Sequence, residues 1–129
     1  MAVERSAGPL GRSFSGSIRA RGAGTWVYSS GRMGTDASGA VVPGGLAAQA
    51  EAALNQVIAG VEEAGGTAAN VVKLTAYLTS LEEYETYNEV RGKAFGMTLP
   101  ASTAIGVADL IIPGALIEID GVAFVSDEE

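Results

Sequence analysis

The apolar positions of this chain follow two periods, and the switches between them mark out its elements. Residues 13–21, and the run Thr25, Trp26, Val27, Tyr28, Ser29, Ser30 that Gly31 stops, are rich in β-formers and read as two strands. Residues 1–12 have little pattern, with Gly8, Pro9 and Gly11 breaking any periodicity, and read as an irregular lead-in. The stretch GTDASG, residues 34–39, has turn composition ahead of Val41 and Val42 and predicts a connection or hairpin. From Leu46 the period becomes helical: Leu46, Ala50, Ala53, Leu54, Val57, Ile58 and Val61 recur at steps of three and four, and Gly65 and Gly66 end the helix. Residues 70–80 then read as a long strand, with Val72, Leu74, Ala76 and Leu78 on one face and Lys73, Thr75, Tyr77 and Thr79 on the other. Ser80 with Glu83 predicts a capping box for a second helix through Tyr84, Tyr87, Val90 and Arg91 towards Phe95, where Gly96 stops it. After Leu99 and Pro100 come two last strands, 102–107 and 115–125, separated by a loop with Pro113 and Gly114.

Strand, strand, helix, strand, helix, strand, strand predicts an α+β domain with two helices over one mixed sheet. With no internal repeat or low-complexity segment, residues 1–129 form a single domain. A sheet covered on one face needs something on the other, and oligomerisation is the expected cover. Composition agrees, because 47% of residues are hydrophobic and only 18% charged. So small a domain ordinarily needs more polar cover, although its 18 glycines and many alanines raise the apolar count without large side chains. Trp26 is assigned to the core or an interface.

Charge and residue types narrow the chemistry. The net charge is −7 and the basic residues form no run, so nucleic acid is not an expected partner; Arg19 and Arg21 alternate at strand spacing and share one local face, as an ordinary solvated edge does. No apolar run approaches 18 residues and no charged-then-apolar start is seen, so neither a membrane span nor a secretory signal is expected and the default compartment is the cytoplasm. Histidine and cysteine are both absent, which excludes a Ser-His-Asp triad, a cysteine nucleophile and His- or Cys-ligated zinc. Carboxylates, hydroxyls, amides and water remain. The acidic tail Asp127, Glu128, Glu129 reads as a frayed, solubilising end rather than a metal site.

Three stretches carry a resemblance. Residues 63–90, EAGGTAANVVKLTAYLTSLEEYETYNEV, resemble the RidA/YjgF pattern of helix end, turn, V-V-K-x-T-x-Y-L-T, acidic helix start and Y-N-E-V. Residues 114–124, GALIEIDGVAF, are similar to that family's last strand, and Tyr28, Ser29, Ser30, Gly31 to its V-x-x-S-G strand end. The resemblance spans residues 13–125, with an apparent short insertion near 21–23. It implies a chorismate-mutase-like fold, a homotrimer with a barrel-like core and outer helices, small-molecule sites in clefts between subunits, and hydrolysis of reactive enamines and imines without a cofactor or metal.

By periodicity alone Glu118 and Asp120 line one solvated face. The resemblance instead implies that Glu118 orients and activates water, while Asp120 falls on an acidic position of less clear role. Imine hydrolysis needs a polarised C=N carbon, a water beside it and a group passing protons to the departing nitrogen, and a partly buried carboxylate suits both proton steps. One departure stands out at Pro100, Ala101, Ser102, Thr103, where the family's deaminases read P-A-R-S with an arginine that grips the substrate carboxylate. Ser102 cannot supply that charge. Arg32 is the expected replacement at the cleft, equally readable as an exposed strand-end arginine; Arg91 is expected to be solvated on the second helix. Phe14 stands where a tyrosine is common and keeps an aromatic wall without its hydroxyl. Gly31 would admit a ligand close to the backbone, and Asn88 would hydrogen-bond near the cleft, although each has an ordinary structural reading too. Thr103 lies beside Ser102 and is included in the substrate-binding set. Tyr87 is assigned to helix packing. Ser102 with Phe14 predicts a less polar pocket for a neutral or differently anchored ligand. A noncatalytic trimer that binds small metabolites or proteins, and a tailoring enzyme using Glu118 for dehydration, cyclisation or tautomerisation, fit the same residues. The endoribonuclease label sometimes attached to the family draws no support from an acidic, histidine-free chain.

Overall fold

The computed structural model describes residues 2–7 and 13–128; Gly8, Pro9 and Gly11, expected to break the lead-in, and Glu129 of the tail lie outside them. The elements run β1 (Val3–Ser6), β2 (Ser17–Ala20), β3 (Gly24–Tyr28), β4 (Arg32–Met33), α1 (Gly45–Glu63), a 3-10 turn (Ala68–Asn70), β5 (Val71–Leu78), α2 (Tyr84–Phe95), β6 (Ala101–Gly106) and β7 (Ile117–Ser126). A five-stranded sheet has the order β3, β7, β5, β6, with β4 also on β7. β5 and β6 pair in parallel, and the crossover a parallel pair requires is α2. The architecture is the expected α+β one.

Both helices lie on one face of this sheet. Leu46, Ala50, Ala53, Leu54, Val57 and Val61 of α1 meet Leu74, Ala76 and Leu78 of β5 and Ile117, Ile119 and Ala123 of β7, all buried, with Tyr87 and Phe95 of α2 closing the core. Period-two alternation turns the neighbouring side chains to the opposite face, which carries no helix among the described residues: Lys73, Thr75 and Tyr77 of β5, Glu118 and Asp120 of β7, and, by pairing, Trp26, Tyr28 and Thr103. Trp26 is 49% exposed and Tyr28 73%, so Trp26 belongs to this open face rather than the core, tilted against Phe124 at 4.8 Å.

The lead-in, β5 and the start of α2 depart from expectation. The lead-in contains a strand, because Val3–Ser6 pairs antiparallel with β2 and buries Val3. Arg19 and Arg21 do share a face, and Glu4 of the paired strand occupies it at 3.6 and 3.2 Å. In β5 a register shift between Val71 and Lys73 makes Val72 the extra residue of a bulge, so Val71 takes the buried place expected of Val72. The capping box at Ser80 does not form: the Ser80 hydroxyl accepts from the Glu82 amide at 3.2 Å, and α2 begins only at Tyr84 behind Glu83, which makes no side-chain cap. The hairpin at 34–39 holds as expected, with the Asp36 carboxylate accepting from the Ser38 and Ala40 amides at 2.9 and 3.1 Å and the Asp36 amide donating to the Ala40 carbonyl.

Leu74 is fully buried on the central strand. Leu74→Ala should cost about 2–5 kcal/mol of stability, read as a lowered midpoint in urea unfolding; an unchanged midpoint would contradict the packing described.

Candidate active site

Glu118 sits on β7 directly opposite Tyr77 of β5 on one side and Met33 of β4 on the other. Beside it the chain leaves β3 through Ser29, whose amide donates to the Gly121 carbonyl at 2.9 Å while its hydroxyl accepts from the Gly121 amide at 3.0 Å. This tie brings Gly31 against the carboxylate: a Cβ built there would lie 1.8 Å from Glu118 Oε2 and 2.8 Å from its Cδ. A side chain at Gly31 would displace the carboxylate, and the glycine leaves it an exposed flank.

Polar groups continue along this face. The Tyr77 hydroxyl donates to Asp120 Oδ2 at 2.8 Å, a bond that holds its phenol above the ordinary tyrosine range, with burial and the negative charges of Asp120 and Glu118 adding to the effect. Lys73 Nζ donates to Thr103 Oγ1 at 2.8 Å and the Leu74 carbonyl at 3.1 Å, and burial pushes its ammonium down despite the attraction of Asp120. Asp120 and Thr103 thus have local partners of their own. Among the described residues no group of three or more Asp or Glu could hold a metal ion.

A second cluster lies on the helix side. Arg91, expected in solvent, is completely buried. On α2 it shares the inward stripe of Tyr87 and Phe95, spaced by four, which carries it into the core instead of away from it. Its Nη1 donates to Ser102 Oγ at 3.0 Å, and its Nη2 donates to Asn88 Oδ1 and, at 3.4 Å, to the Tyr84 hydroxyl. The rings of Tyr87, Phe14 and Tyr84 surround the guanidinium, with centroids 5.0, 5.6 and 6.0 Å away. Phe14 is brought there by Ser15, whose amide donates to the Pro100 carbonyl at 3.0 Å and whose hydroxyl donates to the Leu99 carbonyl at 2.6 Å. Burial raises the Tyr87 phenol above its ordinary range, outweighing the favourable influence of Arg91 and Ser102.

One chain therefore holds two separate clusters. Ser102 pairs with Leu74 and shares its helix-facing side, whereas Glu118 pairs with Tyr77 and faces the opposite way. β6 and β7 flank β5, which puts the two groups about 10 Å apart across the sheet as well as on opposite faces. Phe14, Asn88 and Ser102 come together; Gly31 and Glu118 come together; Thr103 lies with Lys73. Arg32 pairs with Ile119 while Met33 pairs with Glu118, so the register puts Met33 rather than Arg32 on the face of Glu118. A groove of about 460 Å³ between α1 and α2, lined by residues including Glu51, Asn55 and Lys93, contains none of these residues.

Comparisons with known proteins show the family to which the chain belongs. Residues 10–125 match the family model described as Endoribonuclease L-PSP. The chain is 39% identical over 98 residues to a 2-iminobutanoate/2-iminopropanoate deaminase of Bos taurus, covering 75% of this chain and 71% of the relative. It is 31% identical over 123 residues to a RutC family protein of Pyrococcus abyssi, covering 95% and 93%. Among solved structures it superposes on a Rid family protein of unknown function from Yersinia pestis with a TM-score of 0.83 at 25% identity, covering 97% and 100% of the two chains. The yjgF gene product of E. coli gives 0.71 at 29% identity, covering 78% and 84%. With a match across nearly the whole chain and a shared fold, this protein belongs to the RidA/YjgF family.

Proposed function

We propose that the chain hydrolyses a small reactive enamine or imine, or a related conjugated metabolite, to a carbonyl compound and ammonia, without cofactor or metal, at clefts between the subunits of a homotrimer. The observation that carries this reading is the Glu118 carboxylate set against Gly31 on a sheet face that no helix of its own chain covers. A substrate carbon can approach over the glycine, where a side chain would block it. Glu118 takes a proton from water as its oxygen adds to the C=N carbon and gives it to the nitrogen, then carries the proton of the new hydroxyl to the same nitrogen, which leaves as ammonia as the carbonyl forms; atoms and charge balance with water as sole co-reactant. Relatives named as 2-iminobutanoate/2-iminopropanoate deaminases support the reaction class.

The split site supports an assembly of copies, and the trimer is the assembly that the family resemblance implies. Glu118 and the Ser102 cluster cannot meet on one substrate within a single chain, and the open face that carries Glu118 also carries exposed Trp26 and Tyr28. In the proposed trimer a neighbouring copy covers this face and brings its own Ser102 cluster to Glu118. The chain's charge of −7 argues against RNA as the substrate. No helix among the described residues is long and apolar enough to cross a membrane, and the cytoplasm is the proposed compartment.

Ammonia release from freshly generated imines tests the reaction. Glu118→Gln should retain the fold and lose about 100-fold or more in kcat, the usual contribution of a general acid-base; parent-like turnover would sink the role of Glu118. Gly31→Ala should lower kcat by about tenfold or more by displacing the carboxylate, with little change in melting temperature; unaltered kinetics would show that the close approach is not used. Light scattering should give three times the chain mass, and a monomer at micromolar concentration would remove the intersubunit cleft.

A further inference from the structure

Transferring a guanidinium from water to a protein interior is costly, and buried arginines normally face a carboxylate. Arg91 has none among the described residues, where the ion pairs are those of Glu4 with Arg19 and Arg21, on the two-stranded sheet. Arg91 instead leans on neutral oxygens of Ser102, Asn88 and Tyr84 and on three ring faces, which solvate the cation without cancelling its charge. Its Nε has no acceptor, and neither does the buried Tyr87 hydroxyl next to it. The remaining buried side-chain oxygen without a hydrogen bond belongs to Glu4, which is ion-paired. Two donors without acceptors thus converge in one cluster, and the outer wall of that cluster is built from the half-exposed Phe14, Tyr84, Asn88 and Ser102.

We propose that Arg91 is the anion-binding residue of this cluster and that the ligand it recognises carries a carboxylate. The chemistry selects that class. A carboxylate is planar, bears one negative charge and offers two oxygens, matching one guanidinium and one phenolic hydroxyl between aromatic walls. A phosphate would bring close to two charges and a third set of lone pairs that nothing here would satisfy. Ser102 then has a definite role: its hydroxyl holds Nη1 so that the guanidinium is aimed. The positive charge therefore enters from α2, and of the neutral or differently anchored ligand expected from Ser102 and Phe14 the second alternative applies. This deepens the imine-hydrolase reading and rests on it only for the reacting end of the ligand.

The test is calorimetric titration of the full chain with 2-oxobutanoate and with its uncharged counterpart butan-2-one, alongside thermal unfolding. The parent should bind 2-oxobutanoate at least about tenfold more tightly than butan-2-one, and Arg91→Met should abolish that preference, a loss of about 10- to 100-fold for one charge-assisted contact. Because the substitution removes an unneutralised buried charge, the melting temperature should be unchanged or raised, whereas a purely structural arginine would lower it. Ser102→Asp, which puts a carboxylate against the guanidinium from within, should raise the melting temperature and also abolish 2-oxobutanoate binding, and it decides the matter if Arg91→Met does not fold. Equal affinity of the parent for both ligands, undiminished binding in Arg91→Met, or undiminished binding in Ser102→Asp would overturn the proposal. Imine turnover that persists in Arg91→Met with unchanged KM would overturn it too while leaving the hydrolase reading intact; 2-oxobutanoate binding without any imine turnover would overturn the hydrolase reading and leave Arg91 as the anion site.

Discussion

The ladder between β5 and β7 governs where every functional group goes. Ile117 and Ile119 pair with Leu78 and Ala76 on the core side, so Glu118 and Asp120 are forced outward opposite Tyr77 and Thr75. A slip of one residue would exchange the two sets, burying two carboxylates and exposing two isoleucines, and it is excluded by the energetics of both faces at once. α1 reinforces the register from outside the sheet: the Gln49 side chain accepts from the Leu116 amide at 2.8 Å and donates to the Gly114 carbonyl at 3.2 Å, pinning the entry to β7. The carboxylate is therefore placed by the packing of its neighbours rather than by any bond of its own.

That single register also explains why the groups divide between two faces. β6 runs parallel to β5, and the pairing of Ser102 with Leu74 sends the serine towards α2, where Arg91 meets it. The helix-side cluster is aromatic, largely dry and cationic; the open-side cluster around Glu118, Tyr77, Asp120 and Lys73 is polar and partly wet. Brought together between copies of the proposed trimer, the two clusters would hold one end of a small molecule firmly and leave the other end accessible to water.

Much of this is legible in the sequence. The three-and-four spacing from Leu46 to Val61 specifies the buried face of α1, and alternation along IEID specifies which side of β7 carries Glu118. β1 is not legible because four residues, VERS, carry no period long enough to read, and the reason for the strand lies in partners some 15 residues away. The bulge at Val72 and the failed cap at Ser80 depend on pairing and chain direction, which local composition does not encode. Arg91 reads as solvated only when charge is weighed above position: it lies four residues from both Tyr87 and Phe95, on the apolar stripe, and that spacing is the available signal.

The place of β7 in the sheet has a consequence for biogenesis. It follows every other strand in sequence yet sits between β3 and β5 in space, joining residues as far apart as Gly24 and Ser126. Until it leaves the ribosome, β3 has no sheet to join, α1 has only half its floor, and β5 presents an unsatisfied edge. Completion of this sheet consequently waits for β7 to emerge, whatever the order in which the helices form.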